Sequence, residues 1–190
     1  TCIRVEGRTT KLVVSDSMIN QCGNNRTDGG GISVDGATVS VVRTKLSGNQ
    51  GQKGAAIFAT QASISLSEVL LTDNIALIGA GLFASASEVT ISNSRILGNE
   101  SKSGGFGAGI ALRNGGIHSI QDTTFQSNHA QGKGGAIYLD HALLDTTHQM
   151  SIRNVQCRGN SASFGSSTGG CLYSRGRLSM TISDSVIADN

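Results

Sequence analysis

Aspartates recur at two repeated positions of this sequence, and they are the first residues to consider for chemistry. Asp35 and Asp140 each follow a recurring aliphatic residue by three positions, and a second repeated position holds Asp16, Asp122 and Asp184. Carboxylates clustered on one face can bind Ca²⁺ or act as an acid–base pair in polysaccharide cleavage. No position carries aspartate in two neighbouring repeats, however. We therefore expect a protein that is not an enzyme, with a polysaccharide lyase or hydrolase as the alternative.

A second group of chemically capable residues lies in an insertion near the end of the sixth repeat. Asp140, His141, Asp145 and His148 have side chains of the types that bind divalent metals. Their spacing matches no standard metal site, and an inserted loop of a repeat protein usually forms plain surface. We therefore expect no metal and no cofactor, and we keep a contact between this loop and a partner as an alternative.

The elements that must position these residues are repeats of roughly 25 to 35 residues, a period typical of solenoids. A hydrophobic residue stands three positions before each slot of the first motif, and the slots are Cys22, Asn49, Asn74, Asn99, Asn128, Asn160 and Asn190. A second motif joins two small residues to Ile or Leu, as in Gly135-Ala136-Ile137. Because side chains at one corner stack coil on coil, we expect the asparagines to form a hydrogen-bonded ladder along the axis.

Short segments between these motifs alternate apolar and polar residues, which is the pattern of half-buried strands. Leu12, Val13 and Val14 align with Val39, Ser40 and Val41 in the next repeat. We predict an all-β fold, a right-handed parallel β-helix of about seven coils with three short strands in each. Residues 1–190 are expected to form one section of a longer repetitive protein, whose ends stack against further copies or coils.

Composition limits the partners of this chain of 190 residues. The net charge is +2 and only 15% of the residues are charged, so nothing favours binding to nucleic acid. No apolar run reaches the length needed to span a membrane. The four cysteines lie at coil ends and predict the disulfides Cys2–Cys22 and Cys157–Cys171, which require an oxidising compartment. Four free thiols in the core are the alternative.

Aromatic residues occupy one outward-facing position of the predicted strands: Phe58, Phe83, Tyr138 and Tyr173. Exposed rings can stack on sugars or contact a protein partner. The alternative is that neighbouring rings cover one another along the stack. Two glycosylation sequons occur, and we favour Asn25 over Asn99 because Asn99 belongs to the predicted buried ladder.

The two motifs together resemble the polymorphic outer-membrane protein repeats of chlamydiae, which pair GGAI with FxxN. The fullest copy is Phe125-Gln-Ser-Asn128 followed by Gly134-Gly-Ala-Ile137, and the other repeats are looser. This resemblance extends over essentially the whole chain. It implies a parallel β-helix at the cell surface or outside the cell, in an adhesin or a structural protein, with glycans or surface proteins as partners.

Overall fold

The structure is a computed structural model in which residues 1–141, 148–163 and 169–190 are described. Within these residues the chain forms only β-strands and turns, and every strand pairing is parallel. The predicted all-β solenoid is therefore confirmed. No helix that could span a membrane occurs in the described parts of the chain.

The first sheet contains one strand from each coil, paired in chain order. Its strands are β1 (Ile3–Glu6), β4 (Ile32–Asp35), β7 (Ile57–Thr60), β11 (Leu82–Ser85), β15 (Ile110–Arg113), β18 (Ile137–His141) and β21 (Leu172–Gly176). Seven strands are separated by six complete turns, slightly fewer than the seven coils expected.

The second sheet has twelve strands and supplies the other two long faces of the β-helix. They are β2 (Lys11–Ser15), β3 (Met18–Asn20), β5 (Thr38–Val42), β6 (Lys45–Ser47), β8 (Ser63–Ser67), β9 (Leu70–Thr72), β12 (Glu88–Ser92), β13 (Arg95–Leu97), β16 (Ile117–Gln126), β19 (His148–Arg158), β22 (Leu178–Ser183) and β23 (Val186–Ala188). In β16 and β19 the two strands of one coil merge into one, which joins the two faces at their corner.

A third, narrow sheet follows the asparagine slots and was not predicted. It stacks four strands of two residues each: β10 (Ile75–Ala76), β14 (Glu100–Ser101), β17 (His129–Ala130) and β20 (Ser161–Ala162). The three strands expected in each coil are present, and this short strand adds a fourth in the middle coils.

The core is a continuous column of aliphatic side chains inside the coils. Leu46, Leu71 and Ile96 are fully buried, and Phe125 continues the same position in the next coil. Burial of each such side chain contributes about 1.5–3 kcal/mol, so stacking is the main source of stability for strands too short to fold alone.

Left-handed backbone conformations turn the corners at fixed positions. The residue before every asparagine slot has a positive φ: Gln21, Gly48, Asp73, Gly98, Ser127, Gly159 and Asp189. A second corner uses the same conformation at Asp16, Arg43, Glu68, Asn93, Asp122, Asn154 and Asp184. Gly134 also has positive φ, and a Cβ there would overlap the carbonyl oxygen of Ile137. Only glycine fits at that corner without a backbone shift.

Candidate functional site

The asparagine slots form a hydrogen-bonded ladder through the length of the solenoid. Asn74 donates from Nδ2 to Asn99 Oδ1 at 2.9 Å, and its backbone N–H donates to the same oxygen at 3.2 Å. The same two bonds join every successive pair from Asn49 through Asn128 and Asn160 to Asn190, always with 2.9 Å between the side chains.

Each ladder amide also donates its second hydrogen to the coil that precedes it. Asn74 Nδ2 donates to the carbonyl oxygen of Leu46 at 3.1 Å, and Asn99 Nδ2 donates to that of Leu71 at 3.0 Å. Asn49, Asn74 and Asn128 have no exposed surface, so each amide is fully paired away from water. Buried polar groups satisfied in this way specify one register between coils.

A second ladder, made of hydroxyl groups, lies just after the other left-handed corner. Ser94 Oγ donates to the carbonyl oxygen of Ser92 at 2.6 Å and accepts from the N–H of Val69 at 3.2 Å. Ser17, Thr44, Thr123 and Ser185 bond to their own turns in the same way. Sequence reasoning missed this column because Val69 and Val155 interrupt it. The recurrence of Ser or Thr at this position could have revealed it.

Two disulfides staple the corners of the first and the last parts of the solenoid. Cys2–Cys22 and Cys157–Cys171 both have the expected pairing, with Cα–Cα distances of 5.7 Å and 6.0 Å, and the described residues include no free cysteine. Cys22 replaces the ladder amide with a disulfide sulfur, yet its backbone N–H still donates to Asn49 Oδ1 at 3.0 Å. The ladder thus extends to the corner that the first disulfide closes.

Three of the repeated aspartates, at positions 16, 35 and 122, pair with side chains of the next coil. Asp16 binds Arg43 through two hydrogen bonds of 2.7 Å and 2.8 Å, and Asp35 accepts from Thr60 at 3.0 Å. Asp122 accepts from Asn154 at 2.7 Å. None of these contacts brings two carboxylates together, and each one links one coil to the next.

Asp140 has the most strongly shifted pKa among the carboxylates that the structure describes. It is buried and accepts two hydrogen bonds of 2.8 Å from Arg175, one of 3.0 Å from Arg113, and one of 3.2 Å from the Tyr138 hydroxyl. The hydrogen bonds and charge of Arg175, aided by Arg113, lower the pKa of Asp140 to about 2 although burial opposes this shift. Burial, followed by the charge of Asp140, raises the pKa of Tyr138. This cluster clamps three neighbouring coils.

The predicted insertion begins and ends with buried histidines. His141 ends β18 and His148 begins β19, and their ring centroids are 4.6 Å apart. Asp145 lies outside the described residues, so its part in the candidate group stays untested. Among the described residues, no group of three or more histidines, cysteines, aspartates or glutamates is placed to hold a metal. His118, which sequence reasoning did not select, packs against His141 with 5.9 Å between the ring centroids.

The aromatic column forms a small cluster on the outer face of the first sheet, separate from the main core. Phe58 stacks on Phe83 at 5.5 Å, and Tyr138 stacks on Tyr173 at 5.6 Å. The coil between these pairs has Ala111 at this position. Phe106 packs in the same cluster, and its ring centroid lies 4.9 Å from that of Tyr138. The rings at positions 83 and 138 are therefore buried, whereas those at 58, 106 and 173 keep part of their surface open. Mutual covering accounts for most of this column.

The two sequons differ in accessibility. Asn25 is exposed in the turn between β3 and β4, whereas Asn99 is 1% exposed and has its amide in the ladder. Only Asn25 could accept a glycan without unfolding the corner, and whether it does so stays a prediction.

Comparison with protein families identifies one segment of the chain. The Chlamydia polymorphic membrane protein (Chlamydia_PMP) repeat matches residues 122–140. This segment holds the one repeat in which both motifs are complete, so the resemblance to this repeat type is confirmed there. No curated protein and no solved structure matches the chain significantly.

Proposed function

We propose that this chain, which contains a polymorphic membrane protein repeat, is a non-catalytic section of an extracellular or cell-surface β-helix with a structural or adhesive role. The observation that carries this proposal is the amide ladder, which continues from the corner of Cys22 to Asn190. It holds six turns in register over roughly 30 Å at one strand spacing of ~4.8 Å per turn. An element of this kind suits a rigid rod better than a reaction centre.

An extracellular setting has two independent supports. The chain has two disulfides. Disulfides persist in oxidising compartments and are rare in the cytosol. The matched repeat belongs to a family described as polymorphic membrane proteins. Exposed Asn25 would be available for modification in such a compartment.

The partner that best fits the last coil is a further coil of the same type, either later in the same protein or in another copy. Ile182 and Ile187 are 39% and 52% exposed, although Ile152 and Cys157, which occupy the same positions one coil earlier, are at most 4% exposed. Residues 170–190 also resemble residues 1–22, which indicates a longer repeat of 169 residues from Cys2 to Cys171. A further coil of the same type would cover these side chains and pair the open strand edge.

Sedimentation velocity and electron microscopy of the purified protein test this proposal. We expect concentration-dependent end-to-end species that Ile187→Lys abolishes, because the lysine would be buried in the contact. Ile117→Lys is the matched control, since Ile117 is 60% exposed on an outer face. Equal association of both variants, or monomers at all concentrations, would contradict association through this coil. Imaging of the native assembly then distinguishes a fibre from a short module.

A carbohydrate-binding module is the second candidate, and the aromatic cluster favours it. Lys133 Nζ lies 4.6 Å from the ring centroid of partly exposed Tyr173 and 3.1 Å from its hydroxyl. A ring and a cation at one edge are suitable contacts for an acidic sugar. Glycan-array binding that Tyr173→Ala removes and Ile117→Ala retains would support this candidate. Polysaccharide cleavage with added Ca²⁺, lost on replacement of Asp35, would instead establish an enzyme.

A further inference from the structure

Three buried histidines converge at the base of the insertion, and we call His118, His141 and His148 the histidine cluster. They are between 1% and 5% exposed. His118 occupies a core position that Val89 fills in the preceding coil and Met150 fills in the next. An apolar side chain therefore fits this position, and packing alone does not require an imidazole.

Three of the four ring nitrogens of His118 and His141 have no hydrogen-bond partner. Neither nitrogen of His118 makes a hydrogen bond of normal geometry, and Nε2 of His141 makes none either. Gly115 donates its backbone N–H to His141 Nδ1 at 3.1 Å, so this nitrogen carries no proton. The packing thus selects neutral imidazoles, because a second proton on either ring would be buried without an acceptor.

Within the described parts of the chain, the charged groups near the cluster offer little compensation for a proton. Asp140 precedes His141, but its carboxylate already binds Arg113 and Arg175. The backbone N–H of His148 donates to the carbonyl oxygen of Arg177 at 3.5 Å. Glu88 shares with His148 the wall of a shallow groove of about 530 Å³. His118 itself lies between the uncharged side chains of the neighbouring strands.

We propose that the histidine cluster makes this corner of the β-helix open in mildly acidic solution while the coils farther away keep their strand pairing. Protonation would place cations at ring-stacking distance in the core, and solvation of those cations requires the rings to leave it. His148 lines the groove together with Gly115 and Gly116, and His118 lines a second surface depression of about 210 Å³, so both rings have solvent beside them. Opening would expose the strand edge and the turn at residues 114–116 to a partner.

The direction of titration agrees with this geometry. Burial, reinforced by His141 and His148 and partly offset by the backbone of Gly115, lowers the pKa of His118 to about 4. Burial and His148 lower the pKa of His141 to about 4, against the opposing charge of Asp140. The closed corner is therefore fully stable above the ordinary histidine pKa of about 6.5, and it loses stability as the pH falls from there towards 4.

Hydrogen exchange measured by mass spectrometry between about pH 7.5 and pH 4.5, corrected for intrinsic rates, tests the proposal. We expect protection of residues 114–118 and 137–141 to fall about tenfold per pH unit for each proton taken up on opening. Protection of residues 57–72 should stay constant over the same range. A uniform loss across all coils would overturn the proposal, because it would indicate global acid unfolding.

Two variants separate the cluster from other histidines. His118→Met copies the residue of the next coil and should reduce the pH dependence at residues 114–118. His129→Gln is the matched control, since His129 lies outside the cluster and contacts Ser161 at 2.8 Å. It should leave the pH dependence unchanged. Equal pH dependence in His118→Met and in the wild type would contradict the proposal.

NMR titration of the wild-type imidazoles gives a readout that does not depend on how the variants fold. The rings of His118 and His141 should remain neutral until the corner loses protection. An ordinary titration of either ring near pH ~6.5, with protection unchanged, would overturn the proposal.

Discussion

Removal of one ladder amide, by Asn99→Ala, is the most direct test of what holds the coils in register. The substitution deletes four hydrogen bonds: two from Asn74 to Oδ1, and one each from Nδ2 to Leu71 and Asn128. The N–H of Asn74 is left in a buried corner without its acceptor. At a net value of about 1 kcal/mol for each bond, we expect a loss of roughly 4 kcal/mol in unfolding free energy.

Asn190→Ala supplies a matched control within the same ladder. Asn190 also makes four hydrogen bonds, with Asn160, Cys157 and Ala188, but its side chain is exposed in the last coil. Water can replace these bonds, so we expect a loss of about 1 kcal/mol or less. The difference between the two variants measures the effect of burial on chemically equal contacts.

The assay is urea unfolding followed by circular dichroism, with hydrogen exchange at the ladder amides as a local measurement. In Asn99→Ala, exchange should accelerate most at the N–H of Asn74, and the unfolding midpoint should fall clearly below that of Asn190→Ala. Equal midpoints for the two variants would refute the view that buried amides fix the register. Acceleration spread evenly over all coils would also contradict it.

Three further predictions concern the clamp, one corner and the disulfides. Asp140→Asn should lower the free energy of unfolding by about 1–2 kcal/mol at neutral pH, after allowance for solvent screening. This loss should vanish as the pH falls from 4 towards 2, because the pKa of Asp140 is lowered to about 2. Equal unfolding midpoints at neutral pH would contradict this prediction. Gly134→Ala should lower the free energy of unfolding by more than roughly 1 kcal/mol in thermal unfolding, because the added Cβ overlaps the Ile137 carbonyl oxygen. Gly104→Ala is the control: its added Cβ meets no atom within 4 Å, so it should cost less. Alkylation without reductant should label none of the four cysteines, and labelling of all four would remove the case for an oxidising compartment. In urea unfolding, reduction should lower the free energy of unfolding by about 3 kcal/mol for each disulfide.

The repeating elements could be predicted because each one leaves a regular pattern in the sequence. A period of 2 in apolar residues, such as Leu12 and Val14, is fixed by strand geometry, and the recurring asparagine marks one corner of each coil. The disulfide pairs followed from the same alignment, because it places the two cysteines of each pair within one coil or at one corner.

Other features depend on contacts that no local pattern encodes. The second left-handed corner accepts Arg43 and Glu68 as well as aspartate and asparagine, so residue type does not reveal its conformation. Phe106 packs beside the position of Ala111 from outside the strand, which alternation could not predict. His118 stands in an apolar column, and only three-dimensional packing brings it to His141.

The amide ladder has a direction that the sheets around it lack. Every ladder Oδ1 accepts from the coil before it, so the side-chain carbonyl dipoles all point towards the first coil. Strand pairing sends bonds both ways, as Ile3 donates to Gly31 and Thr38 donates to Thr10. The ladder is therefore polar along the axis of the solenoid, from the corner of Cys22 in the first coil to Asn190 in the last. Any coil that prolongs the ladder must join head to tail, which excludes a two-fold axis at that junction and gives an open polar array.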